Sequence, residues 1–305
     1  MRSDVVDQAL LDAGEIATLA AQATHGVHTV VRREVHDHHA GDWPSAWLGR
    51  GLDFEEARPY APGDDVRDMD WRTTARLGHP FIKTYREERQ PLLHIVVDRG
   101  PRMRFGTRRR LKVTQAARMA VLAGFAATES NIAVGATLWD RPDRTLPARH
   151  GRLGLLELVR AIVAPCSPWP AETGEALHEL THLQTLRAEL PRGSRLLLLS
   201  DFAWLAPLHE PALASLAEWL DLLAVCITDP AERALPDVGL ACFADLGSAQ
   251  TRWIDTGKAA VREAHAATFA ARHARMATTL ARCAVRHLDM GSEVDDLLPL
   301  LHGHG

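Results

Sequence analysis

LLHIVVDRGPRMRFG, Leu92 to Gly106, decides the fold. An apolar run climbs to an aspartate, Asp98, and then breaks into Gly and Pro punctuation. A short continuous apolar run bounded by turn residues reads as a strand buried on both faces. The pattern returns in IAVGATLWD, RLLLLSD, LLAVCITD and LACFADLG, with helical periodicity near 108–129, 152–164, 173–190 and 209–221. Strand–helix alternation predicts a doubly wound, mainly parallel α/β sheet. QTRWIDT, a long helix near 258–284 and a short VRHLDM complete the chain.

Four of these runs end on aspartate: Asp98, Asp140, Asp201 and Asp229. Ligands of open parallel sheets bind outside the carboxyl ends of the strands, so several carboxylates at one rim suit a cation. Taken singly, each is better read as a turn former or the cap of the next helix.

Bulk properties exclude several classes. The chain has 305 residues, 46% hydrophobic and 24% charged, which is ordinary globular composition. A net charge of −4 and a pI near 6.5 give no argument for nucleic acid or membrane. Cys166, Cys226, Cys242 and Cys283 stand far apart, which predicts free thiols in a reducing compartment. The N-terminus carries acids where a signal peptide needs an apolar core, and residues 4–24 read as an amphipathic helix on Val5, Val6, Ala9, Leu10, Ala13, Ile16 and Ala20. No apolar run reaches the roughly 20 residues that span a bilayer. The expected location is the cytoplasm.

GRGLDFEEARPYAPGDDVRDMDWRTTARLGHPFIKTYREER at 49–89, VVDRGPRMRFGT at 96–107, LLLLSDF at 196–202 and TRWIDT at 251–256 together resemble the domain-of-unknown-function 58 family. The resemblance implies a von Willebrand factor A-like fold and an adaptor role beside MoxR-type AAA+ ATPases. It divides the chain into an N-terminal helix and extension (1–89), a von Willebrand A-like domain (90–247) and a strand–helix segment (248–305) packed on that domain. In such domains a divalent ion sits at the rim in a D-x-S-x-S site completed by a threonine and a further aspartate. The matching positions are Asp98, Gly100, Arg102, Thr173 and Asp201, so both serines are replaced. Gly100 removes one oxygen. Arg102 opposes the ion, since a like charge about 4 Å away costs roughly 4 kcal/mol per unit charge at an effective dielectric near 20. The expected arrangement has Arg102 bridging Asp98 and Asp201 in place of the metal. The rival is a weak Mg²⁺ site on Asp98, Thr173 and Asp201.

Three other motifs are weighed. RPYAPGDDVRDMDWR holds Arg58, Tyr60, Gly63, Asp64, Asp65, Arg67, Asp70 and Trp71, read as an ion-paired turn with buried aromatics rather than a docking face. HELTH, His178 to His182, matches the H-E-x-x-H of zinc peptidases. A helix plotted at 100° per residue puts Leu180, Leu183, Leu186 and Leu190 inward and both histidines on the wet side, with no third ligand evident beyond His209 or Glu210. The basic run Arg102, Arg104, Arg108, Arg109, Arg110, Lys112 reads as a solvated face before a protein, lipid or nucleic-acid contact.

The expected function is therefore non-enzymatic: a cytoplasmic interaction module for a MoxR-type ATPase or its client, with a degenerate metal-ion-dependent adhesion site. The alternative is a metal-dependent enzyme using the rim or HELTH. No G-x-x-x-x-G-K-[ST] loop is present, which argues against nucleotide hydrolysis by the chain itself.

Overall fold

The computed structural model describes residues 9–34, 57–61, 69, 71–83, 92–140, 142–166, 176–244 and 251–301. They fall into two compact units, one of residues 1–47 with 91–305 and the other of 48–90. The helix α1 (Ala13–Glu34) belongs to the larger unit rather than with the extension. It begins later than the expected 4–24, and Val5 and Val6 lie outside the described residues.

The smaller unit pairs β1 (Ala57–Pro59) antiparallel with β2 (Phe81–Lys83) across the short helix α2 (Trp71–Leu77). Phe81 N–H donates to Thr74 Oγ1 and Tyr60 N–H to Pro80 O, which close this loop. Tyr60 is half-buried. Trp71, expected inside, is 66% exposed: it opens α2, a helix with no buried residue. Gly63, Asp64, Asp65, Arg67 and Asp70 lie outside the described residues, as does the Arg58 side chain.

The larger unit is built on β3 (Leu93–Asp98), α3 (Lys112–Glu129), β4 (Val134–Trp139), β5 (Arg144–Arg149), α4 (Gly151–Val163), α5 (Ala176–Glu189), β6 (Arg195–Ser200), α6 (Glu210–Trp219), β7 (Asp221–Thr228) and α7 (Pro230–Arg233). Then follow β8 (Leu240–Ala244), β9 (Thr251–Asp255), α8 (Ala259–Arg282), β10 (Arg286–Gly291) and α9 (Leu298–Leu301). Six strands pair in the order β10-β7-β6-β3-β4-β5, all parallel except β5 on β4. Numbered by first appearance in this sheet, that is the doubly wound order 3-2-1-4-5-6, reversing between β3 and β6.

Alternation along the strands explains the two layers. Ile95, Val97, Leu197, Leu199, Val225 and Ile227 face one apolar cluster with α1, α3 and α4. Val96, Leu196, Leu198, Ala224 and Cys226 face a second with α5, α6 and α8. Both faces of each central strand are thus covered, as an all-parallel core requires.

Two expectations are corrected. Among the described residues LACFA is not in the main sheet: β8 pairs with β9, as a two-stranded ribbon. The outer strand beside β7 is instead β10, from VRHLDM. The antiparallel edge β5 went unpredicted because RTLPAR is mostly exposed and carries no apolar run. Leu198 is fully buried at the centre of β6. Leu198→Ala is expected to lower the unfolding free energy by about 2–5 kcal/mol, measured by urea denaturation.

Candidate functional site

At the carboxyl ends of β3 and β6, where the strand order reverses, the larger unit opens a cleft of about 230 Å³. Asp98, Gly100, Arg102, Trp139, His178, Glu179, Asp201 and Trp204 are among its lining residues. Of the five rim positions expected from the sequence, the structure brings together Asp98, Gly100, Arg102 and Asp201. Thr173 lies outside the described residues.

Asp98 ends β3 and turns the chain on itself. Its Oδ1 accepts from Gly100 N–H at 2.8 Å and its Oδ2 accepts from Ser200 Oγ–H at 2.6 Å. Ser200 Oγ in turn accepts from Trp204 Nε1–H at 3.0 Å and from Phe202 N–H at 3.1 Å. Ser200 thus supplies a hydroxyl to Asp98 from the neighbouring strand. Burial, then the neighbouring Asp201 carboxylate, pushes Asp98 up to about pKa 7. Phe202, directly after Asp201, sits in the left-handed region at φ 53°, an uncommon conformation for an aromatic residue and one met at functional turns.

The cation beside Asp201 is not Arg102. Lys112, fully buried at the first turn of α3, places Nζ 2.9 Å from Asp201 Oδ2 and 2.7 Å from Glu232 Oε1. Burial alone would lower the Lys112 pKa; the two carboxylates outweigh it and the net shift is upward. Arg102 is exposed in the turn Pro101–Arg104, and among the described residues no ion pair joins it to Asp98 or Asp201. The expected Arg102 bridge is therefore replaced. A lysine at the start of α3 reaches the strand ends from beneath, while Arg102 borders the mouth.

The remaining rim aspartates are structural. Asp140 is buried between Arg99, at 3.5 Å, and Arg104, at 3.4 Å. Asp229 caps α7 by accepting from Ala231 N–H, and also accepts from Thr107 N–H, Thr107 Oγ1–H and Ser292 Oγ–H. Although burial works the other way, these bonds hold its carboxyl below the usual range. The basic run is largely consumed internally: Arg104 by Asp140, Arg109 and Arg110 by Asp295, Lys112 by Asp201 and Glu232. Helix α3 starts at Lys112, so Arg108, Arg109 and Arg110 precede it rather than open it.

HELTH gives a second correction. Leu183, Leu186 and Leu190 do point into the core. His178 and His182 are half-buried, however, and both Nε2 atoms converge on Asp143 Oδ2, at 2.9 Å and 2.5 Å. Asp143 comes from the connection between β4 and β5, 35 residues before His178, where spacing rules carry no signal. Neither proposed third ligand takes part. His209 is buried against the Ala206 backbone and Glu210 pairs with Arg282.

Residues 56–275 match the model of the family described as "Protein of unknown function DUF58". The chain belongs to the DUF58 family. The uncharacterized proteins Rv1480 of Mycobacterium tuberculosis and Mb1516 of Mycobacterium bovis are each 31% identical to this DUF58 chain over 262 residues, covering 83% of it and 75% of their own length. Among solved structures, the conserved hypothetical protein BatB of Bacteroides thetaiotaomicron aligns over 70% of this chain and 97% of its own, with TM-score 0.42 and 9% identity. Among the described residues no helix is long and apolar enough to cross a membrane.

A carboxyl whose folded pKa lies above its unfolded value binds more protons when folded, so stability falls as pH rises between the two. For Asp98 that window runs from 3.8 to about 7. Asp98→Asn is expected to gain stability over wild type progressively across it, by up to about 1.4 kcal/mol per unit, and to hold a constant advantage above it. His94, kept neutral by burial with its pKa near 4, acts oppositely, so the difference between the two proteins' urea midpoints against pH is the measurement. Lys112→Met leaves two carboxylates facing inward without their cation and is expected to cost about 3–5 kcal/mol at pH 7.

Proposed function

We propose that this DUF58 protein is a von Willebrand factor A-like interaction module without catalysis of its own. It acts in the cytoplasm and docks a MoxR-type AAA+ ATPase, or that ATPase's client, through a degenerate metal-ion-dependent adhesion site. One observation carries the reading: Asp98, Gly100, Arg102 and Asp201, separated by up to about a hundred residues, line a single cleft at the reversal point of the sheet. The antiparallel edge strand β5 and the strand order support the same architecture.

The rim works without bound Mg²⁺. Lys112 supplies the positive charge next to Asp201, and Ser200 and Gly100 occupy the Asp98 oxygens. In an intact adhesion site a partner's carboxylate completes the ion's shell. Here the exposed guanidinium of Arg102 takes that carboxylate, in the paired geometry such groups favour.

Two measurements test this. Immobilised wild type is expected to retain a purified MoxR-type ATPase, and Arg102→Ala to retain at least about tenfold less. Equal recovery removes the rim as the docking surface, and no recovery by wild type removes the partnership. In calorimetry, Mg²⁺ binding tighter than about 100 μM that Asp201→Ala abolishes would overturn the metal-free rim.

A further inference from the structure

We infer that Asp143, His178 and His182 form a binding site for a borderline divalent transition ion, of which Zn²⁺ is the representative. The site shares His178 with the lining of the rim cleft, uses none of Asp98, Gly100, Arg102 or Asp201, and does not depend on the docking role. One ligand atom from each residue lies within 4.8 Å of the other two. The two imidazole Nε2 atoms are 3.2 Å apart, and both approach the same oxygen, Asp143 Oδ2. Convergence of three donors on one point differs from an ordinary surface His–Asp pair, which needs only one histidine.

The chain pre-organises this arrangement. Histidines at i and i+4 share one helical face. Buried Leu183, Leu186 and Leu190 fix the rotation of α5 about its axis, so that face is turned toward the β4–β5 connection. The His182 ring lies 5.9 Å from Trp139, and Trp139 stands edge-on to Trp204 at 5.6 Å, which limits ring movement. An independent observation points to a ligand at this carboxylate. Asp143 Oδ1 is buried, yet no hydrogen bond reaches it among the described residues. An ion chelated by the carboxylate would satisfy that atom.

The donor set selects the ion. Two imidazole nitrogens and one carboxylate suit zinc-like ions, whereas Mg²⁺ demands an oxygen octahedron. Three protein ligands leave a coordination position open. Because His178 also lines the rim cleft, that position adjoins the cleft and would be filled by water or an anionic group there. Each Nε2 must present its lone pair, so its proton is released or held on Nδ1.

A second three-donor group, Cys226, His273 and Asp289, serves as the internal comparison. Burial first, and then nearby carboxylates, push the Cys226 thiol up, which disfavours the thiolate a metal needs.

The test is calorimetry and equilibrium dialysis of the full-length protein with Zn²⁺ alone and with Zn²⁺ in excess Mg²⁺, together with the visible absorption of the Co²⁺-substituted protein. One equivalent of Zn²⁺ is expected, undisplaced by Mg²⁺, with a Co²⁺ spectrum showing nitrogen ligands and no thiolate charge-transfer band. His178→Gln and His182→Gln are each expected to weaken binding at least about hundredfold, and Asp143→Asn about tenfold or more. Circular dichroism and wild-type melting in the absence of metal establish that each variant is folded, and a variant failing that check is replaced by the corresponding Asn or Ala substitution. The proposal is overturned by an absence of stoichiometric Zn²⁺ binding in wild type. It is equally overturned by binding that survives His182→Gln, or by loss on His273→Gln instead.

Discussion

An ammonium group sealed from water organises this molecule. Moving a unit charge out of water costs several kcal/mol unless partners are fixed around it. Lys112 meets that requirement with two carboxylates drawn from different parts of the chain, Asp201 after β6 and Glu232 on α7. The first turn of α3, the end of β6 and the segment after β7 are thereby held at one point. Asp229 secures Glu232 from behind: it caps α7, while its backbone N–H donates to Glu232 Oε2 at 3.0 Å. The polarity of the rim then follows. Asp201 is spoken for, no ion pair reaches Asp98 among the described residues, and burial beside Asp201 raises the Asp98 pKa to about 7.

Strand identity was legible because burial on both faces leaves an unbroken apolar signature. LHIVVD, VGATLW, RLLLLS and DLLAVCIT each became a strand within a residue or two of expectation. Edge strands leave no such mark. RTLPAR is largely wet, and RHLDMG has one fully covered residue. Conversely, LACFA is apolar enough to read as a core strand, but it forms a surface ribbon with Leu240 at 64% and Trp253 at 67% exposure. Local pattern records the solvent on each side of a residue; which strand lies beside it is decided by distant chain.

The site divides along the same line. Asp98 and Asp201 were readable because strand ends at a reversal point announce themselves. The identity of the balancing cation was not, since six basic residues compete within a dozen positions and only tertiary placement shows that Lys112 alone is sealed in. HELTH was read correctly as a helix with an inward leucine face and incompletely as chemistry. Its third donor sits in a turn preceding a strand that sequence patterning could not see.

The pairing of β3 with β6 has a kinetic meaning. Ser200 and Asp98 meet across 102 residues of intervening chain, and the entropy of closing such a loop must be spent before that contact returns anything. The stretches on either side, β3 through α4 and β6 through β10, consist mainly of near-neighbour pairings that form at lower entropic cost. The cleft therefore comes into being at the seam between two halves of the chain. Its lining is a property of the finished fold, because Asp98 and Asp201 reach one cleft only when β3 lies beside β6.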